Sequence, residues 1–344
     1  MDGLIINENV LLPEFQPERL PGREAEIEEI AHNFRLALDG RRPQNLLIHG
    51  PPGTGKTAVL KYVIGQLEEY SSKVRIAYVN CWNAGTRYGV LGEVARKVGF
   101  ISPMKGTAVE DLLRRIAEIS VKRGVYVVVV LDEMDRLVAS GHGDVLYDLS
   151  RMNEVYGAKV SIVGVVNDLG LVMSLDPRIR SSVISKDIEF KGYTAPVLKR
   201  ILAERAKYAF RAVDEEALGL CAAHAYKCGG DARLAISLLL TAGRIAEKKG
   251  ARQLDVESVK EAASQKSFVP KQEKAEVVLG DVEKKIVDAL KNGPVQSGEL
   301  YKKLDSINER TLRNYISKLI ESGIIIAEEA DGKGKSRMLR LKGK

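Results

Sequence analysis

The residues best equipped for chemistry lie in one short stretch, Gly50-Pro51-Pro52-Gly53-Thr54-Gly55-Lys56-Thr57. They match G-x-x-x-x-G-K-S/T in full. Glycines there let the backbone curl so that successive N–H groups face inward on phosphate oxygens. Lys56 is expected to reach the β- and γ-phosphates of a nucleotide, and the Thr57 hydroxyl to ligate Mg2+. A helix after the loop would add the partial positive charge of its N-terminus. A second group of residues ends the apolar run Val127-Val128-Val129-Val130-Leu131-Asp132-Glu133. Parallel sheets bind ligands at the carboxyl ends of their strands, where this run would deliver two carboxylates. Asp132 would hold Mg2+, directly or through water, and Glu133 would orient and polarise an attacking water. Asn167 closes a further apolar run. Its amide would face the γ-phosphate or the water if the two runs are neighbouring strands. Asp135 reads at least as well as a solvated turn residue.

These groups need a scaffold to bring them together. Runs at 45–49, 74–81, 125–131, 159–166 and 186–190 read as strands, and 24–38, 57–69, 88–98 and 109–121 carry helical spacing. Near-continuous apolar runs suit strands buried on both faces, and their alternation with helices implies an α/β doubly wound parallel sheet. Residues 1–20 read as an irregular arm, and Gly141-His142-Gly143-Asp144 as a mobile loop. After 190 the strands stop. Helical patterns follow at 196–210, 214–227, 231–249 and 255–264, punctuated by Gly192, Gly229-Gly230 and Gly250. The expected organisation is a nucleotide-binding domain at 1–191, an all-helical domain at 192–264, a polar linker with Pro270 at 265–280, and a module at 281–344.

The last module has its own pattern. A helix over 281–291 turns Val282, Ile286 and Leu290 inward, and a short one follows at 297–304. Ser306-Ile307-Asn308-Glu309 is a capping box opening a third helix. Leu312, Tyr315, Ile316, Leu319 and Ile320 form its apolar face. Arg310, Arg313, Asn314 and Ser317 lie opposite, with Lys318 at the margin. Strands at 324–328 and 337–341, joined by a Gly- and Lys-rich turn, complete a winged helix-turn-helix. Such a third helix fits the major groove, and Lys333, Lys335 and Arg337 on the wing would reach phosphates. The module holds 14 Lys and Arg against 10 Asp and Glu. That excess is modest, so a protein-binding winged helix fits the same pattern.

Bulk composition narrows the field. The chain has 344 residues and a net charge of +7, which permits a nucleic-acid partner without requiring one. Three cysteines are too few for a disulfide framework. No apolar run approaches the roughly 20 residues that span a bilayer, and the N-terminus carries no secretory pattern. A cytoplasmic, nucleoid-associated protein with no membrane partner is expected. Cys221, His224 and Cys228 share one helix face, but Leu218 and Ala225 share it too, which favours core over zinc.

The full set resembles the AAA+ ATPases. Leu20-Pro21-Gly22-Arg23-Glu24 resembles the family motif that packs near adenine, which implies nucleotide contacts by Pro21 and Arg23. Asn167 matches the polar sensor. Gly230-Asp231-Ala232-Arg233 is similar to the start of the lid helix that carries a second sensor, implying that Arg233 meets the γ-phosphate. Asp176-Pro177-Arg178-Ile179-Arg180 occupies the region that offers an arginine to a neighbouring subunit, with Arg178 and Arg180 both candidates.

An AAA+ P-loop parallel-sheet domain, an all-helical lid and a C-terminal winged helix-turn-helix, in this order, resemble the archaeal replication initiators related to the origin recognition complex. Asn80-Cys81-Trp82, then Thr86-Arg87-Tyr88 and a helix, is similar to the start of that family's helical insertion; Asp144 to Leu149 is a further family-like phrase. The resemblance implies ATP/ADP with Mg2+, slow hydrolysis acting as a switch, and binding of double-stranded origin DNA. It further implies helicase loading, other initiator subunits on DNA, and DNA contacts at Arg87 and Lys105. Two alternatives stay open. Holliday-junction branch-migration motors share the three-part order, and a signalling ATPase could carry a protein-binding winged helix.

Overall fold

The computed structural model describes residues 3–100, 106–265, 267–268, 281–291, 293–304, 307–321, 325–329 and 337–341. These form two compact units, 1–270 and 271–344, with the boundary inside the expected linker.

The first unit is built on a parallel sheet in the order β2-β3-β4-β1-β5. Its elements are α1 (Glu24–Leu38), β1 (Leu46–His49), α2 (Lys56–Tyr70), β2 (Val74–Asn80), α3 (Arg87–Lys97), α4 (Val109–Arg123), β3 (Tyr126–Asp132), α5 (Asp135–Ala139), α6 (Asp144–Tyr156), β4 (Val160–Val166), α7 (Leu169–Met173), α8 (Pro177–Val183) and β5 (Lys186–Glu189). Every residue of β3 and β4 is buried, because helices cover both faces. Alternate side chains of β3 serve different cores. Val127, Val129 and Leu131 pack with Leu91, Ile116 and Leu146 of α3, α4 and α6. Val128 and Val130 pack with Phe34 and Leu60 of α1 and α2. Each such valine contributes about 1.5–3 kcal/mol by leaving water, so a carboxylate at Val129 would break the centre of the sheet. The pairing Leu131↔Gly164 sets β4 beside β3, which brings their carboxyl ends together.

The lid comprises α9 (Ala195–Ala209), α10 (Glu215–Lys227), α11 (Ala232–Lys248) and α12 (Val256–Ala263). Its core differs from expectation at both ends. The irregular arm expected at 1–20 packs down over its described residues: Glu8–Leu11 is a short 3-10 helix, and Leu4, Val10 and Leu11 are buried among lid side chains. Ile5 bridges to Phe210, and Arg205 Nη1 donates to Val10 O. These apolar residues follow neither helical nor strand spacing, so no local pattern announces them. At the other end Phe268, placed in the linker by sequence, is buried in the lid, and its carbonyl lies 2.6 Å from His224 Nε2.

The second unit contains α13 (Asp281–Leu290), β6 (Val295–Gln296), α14 (Ser297–Lys303), α15 (Glu309–Glu321), β7 (Ile325–Glu329) and β8 (Arg337–Leu341). It has the winged-helix architecture. The sheet has three strands, β6-β8-β7, rather than the expected hairpin alone; β6 is only two residues long and follows Gly293-Pro294. Ile286, Leu290, Leu312, Ile316 and Leu319 form its core, as the helical spacing requires. Among the described residues no helix is long and apolar enough to cross a membrane.

Candidate functional site

The phosphate loop runs from the end of β1 into α2. Gly50 has φ 143 and passes so close to the chain that a Cβ would lie 2.2 Å from Phe190 O. Gly53, at φ 73, meets the lid: a Cβ there would lie 1.8 Å from Asp231 Oδ1. Ala232 N also donates to Gly53 O at 3.1 Å. The loop and the first turn of α11 are therefore in direct contact.

Lys56 is buried, and its Nζ donates to Gly50 O at 2.6 Å, Pro51 O at 2.8 Å and Asn167 Oδ1 at 2.9 Å. Burial, and next the positive charge of Arg233, push its pKa down to about 8, against the pull of Asp132, Asp135 and Glu133. Asp132 ends β3 and is buried. Its Oδ2 accepts from Thr57 Oγ1 at 2.9 Å and from the Tyr78 hydroxyl, while Oδ1 accepts from Glu133 N at 3.1 Å. Glu133 has φ 58, and among the described residues no other non-glycine has positive φ. Such strain clusters at functional sites. Its Oε2 is buried without a partner, and burial raises its pKa, reinforced by Asp132 and Asp135.

Asp135, for which a solvated turn residue is as good a reading of the sequence as a site role, is buried. Its Oδ2 accepts from Asn167 N at 3.1 Å and Asp168 N at 3.3 Å. It thereby fixes the strand end that carries the sensor amide.

A cavity of about 300 Å³ joins these groups. Gly53 to Thr57, Asp132, Glu133, Asn167, Arg233 and Pro21 line it, together with the segment from Leu11 to Gln16. Gly50, Pro51 and Pro52 do not line it; Gly50 and Pro51 supply carbonyls to Lys56. Arg23 does not line the cavity. Its Nε donates to Thr54 O at 2.9 Å, its other donors meet Lys191 O and Glu26 Oε1, and its guanidinium stacks 4.1 Å from the Tyr193 ring. It braces the loop from behind instead of facing a ligand. Arg205 was not legible as a site residue. It lines the cavity, stacks 5.1 Å from Phe15, has no partner for Nε, and is drawn below its ordinary pKa by burial.

The remaining candidates divide. Arg87 makes a two-pronged pair with Asp148, at 2.6 and 2.9 Å, which ties α3 to α6. Lys105 lies outside the described residues. Arg178 is 89% exposed, with Asp176 3.4 Å away, whereas Arg180 Nη1 donates to Met173 O at 2.9 Å. On α15, Arg313 and Asn314 are exposed, as is Arg337 on β8. The side chains of Arg310 and Lys318, and residues Ser306, Lys333 and Lys335, lie outside what the structure describes. Cys221 is buried in the lid core, and His224 faces Phe268 O. Among the described residues no group of three His, Cys, Asp or Glu could hold a metal ion.

A family model described as "AAA domain" matches residues 39–169, and one described as "Cdc6 AAA+ ATPase-type lid domain" matches 199–264. An ORC1-type DNA replication protein of Desulfurococcus amylolyticus is 34% identical, over 97% of this chain and 90% of the relative. The structure of the Aeropyrum pernix ORC1 protein in complex with DNA is similar at TM-score 0.68 and 34% identity, covering 99% of this chain and 94% of that one. The Thermotoga maritima RuvB Holliday junction branch migration motor reaches TM-score 0.50 at 18% identity, covering 97% and 96%, a likeness of fold alone.

Proposed function

The chain belongs to the family of ORC1-type DNA replication proteins, and from that premise we propose that it is an ATP-switched replication initiator. It binds double-stranded origin DNA and promotes loading of the replicative helicase. The observation that carries this reading is the meeting of Lys56, Thr57, Asp132, Glu133, Asn167 and Arg233 in one cavity, within a chain similar to initiators over nearly its whole length.

In this reading Lys56 exchanges its carbonyl partners for β- and γ-phosphate oxygens. The Thr57 hydroxyl and Asp132 carboxylate are hard oxygen donors and fit Mg2+, which they would hold beside the phosphates. When bound, Mg2+ would neutralise charge on the phosphate oxygens. Glu133, strained and partly desolvated, orients the attacking water and draws on its proton. Asn167 positions that water or the γ-phosphate. Arg233 reports the γ-phosphate to the lid, which already touches the loop at Gly53. Arg178, the freer of the two candidates, serves the site of a neighbouring initiator subunit. A site waiting for such an arginine turns over slowly alone.

The C-terminal unit supplies the main duplex contact. Its third helix buries one face in its own core and leaves Arg313 and Asn314 outward, which suits the major groove, and Arg337 suits the backbone. The 34% identity to initiators, against 18% to the branch-migration motor, favours a switch over a processive motor. The experiment is duplex binding with footprinting, alongside ATP turnover with and without DNA. A local footprint, lost on deletion of 281–344, with slow turnover, is expected. Absence of duplex binding would favour a signalling role, and strong ring-dependent turnover a motor.

A further inference from the structure

We infer that Tyr78 is a positioning residue for the magnesium-bearing carboxylate, holding Asp132 by a hydroxyl bond to the same oxygen that Thr57 engages. The inference rests on the nucleotide-site reading above and extends it to a residue outside the phosphate-loop and carboxylate motifs.

Tyr78 sits on β2, two positions before its end. Its cross-strand partner on β3 is Val130, and Asn80 is the partner of Asp132. The phenol therefore leans along the strands, past its own register position, to reach Asp132 Oδ2. Its ring packs at the edge of the core shared by α1, α2 and the sheet. The bond has consequences for geometry. A carboxylate turns broadly about its last torsion. Thr57 Oγ1 and the Tyr78 hydroxyl both donate to Oδ2, and Glu133 N donates to Oδ1. Three donors, from α2, from β2 and from the turn after β3, leave the carboxylate one orientation. Bonds from hydroxyl to ionised oxygen are among the stronger ones, and the rigid ring gives up little freedom in making this one. Thr57 can donate to Oδ2 and offer a lone pair to the metal ion at once, but the direction of its hydroxyl would then be set jointly by the ion. Tyr78 has no such second duty and can hold Oδ2 whether or not the ion is present.

Tyr78→Phe keeps the ring and deletes the donor. The test measures affinity of the full chain for ATP by calorimetry across an Mg2+ titration, and again in EDTA. The Mg2+ concentration giving half of the affinity gain should rise by about 3–10-fold in the variant, the scale of one net hydrogen bond. Affinity in EDTA should be unchanged. In an Asp132→Asn background, Tyr78→Phe should produce no further shift in the Mg2+ titration. A tyrosine that only fills space would leave the Mg2+ midpoint where it was in both backgrounds, because phenylalanine fills the same space. A wild-type chain with Mg2+-dependent ATP binding and an indistinguishable Tyr78→Phe variant would overturn the inference alone. A wild-type chain whose ATP affinity ignores Mg2+ would overturn the site reading and the inference with it.

Discussion

One carboxylate oxygen of Asp135 accepts the backbone N–H groups of both Asn167 and Asp168, at 3.1 and 3.3 Å. The turn after the two site carboxylates thus carries the strand end on which the sensor amide sits. Asn167 Oδ1 in turn meets Lys56 Nζ at 2.9 Å. The chain of contacts runs from the third strand, through the fourth, to the phosphate loop.

Asp135→Ala should therefore loosen Asn167 without removing it. Turnover should fall by about tenfold or more while affinity for ATP changes little, since the phosphate cradle is intact. Stability should drop by about 0.5–1.5 kcal/mol, because Asn167 and Asp168 are exposed and water can take up their N–H groups once the buried carboxylate is gone. Asp135→Asn, which keeps one acceptor oxygen, should recover part of both. Steady-state kinetics and urea denaturation would check this; unchanged turnover with lowered stability would make Asp135 structural only.

Lys56 gives a pH dependence of defined sign. In the free protein it titrates at about 8, lowered mainly by burial. Bound polyphosphate favours its charged form and raises that value, so binding above it takes up a proton. ATP affinity should be level below pH 7 and weaken by up to about tenfold per unit above 8. Calorimetry in buffers of different ionisation enthalpy would register the proton uptake at high pH. A flat affinity from pH 7 to 10 would contradict the placement of the lysine.

Arg87 should behave as a structural residue. Its side chain is 36% exposed and Asp148 only 12%, so the pair is partly desolvated. Arg87→Ala should lower stability by about 1–2 kcal/mol, little of it additive with Asp148→Ala, as a double-mutant cycle would report. Duplex affinity and its salt slope should not move. A slope shallower by about 1 would restore Arg87 as a phosphate contact.

The legible parts of the molecule are those whose physics is local. The phosphate loop announces itself because glycines at Gly50, Gly53 and Gly55 meet a backbone demand within eight residues. The third and fourth strands announce themselves because burial on both faces leaves near-continuous apolar runs, broken only by Ser161 and the terminal Asp132. The winged-helix core follows from one helix period. What stayed hidden depends on pairing between distant segments. The Arg87–Asp148 pair could not be read from the sequence because its partners are 61 residues apart. Asp135 and Tyr78 gain their roles only once strand order sets their neighbours beside them. Leu4, Val10 and Leu11 complete the lid core from the far end of the chain.

The central claim is that this cavity binds ATP and hydrolyses it with Glu133 directing the water. Single-turnover hydrolysis by Glu133→Gln, with ATP affinity measured on the same sample, tests it most directly. The variant keeps size and polarity at that position. The account predicts wild-type ATP affinity with the hydrolysis rate reduced by about 10² or more, the scale of a lost general base. Hydrolysis at the wild-type rate would contradict it.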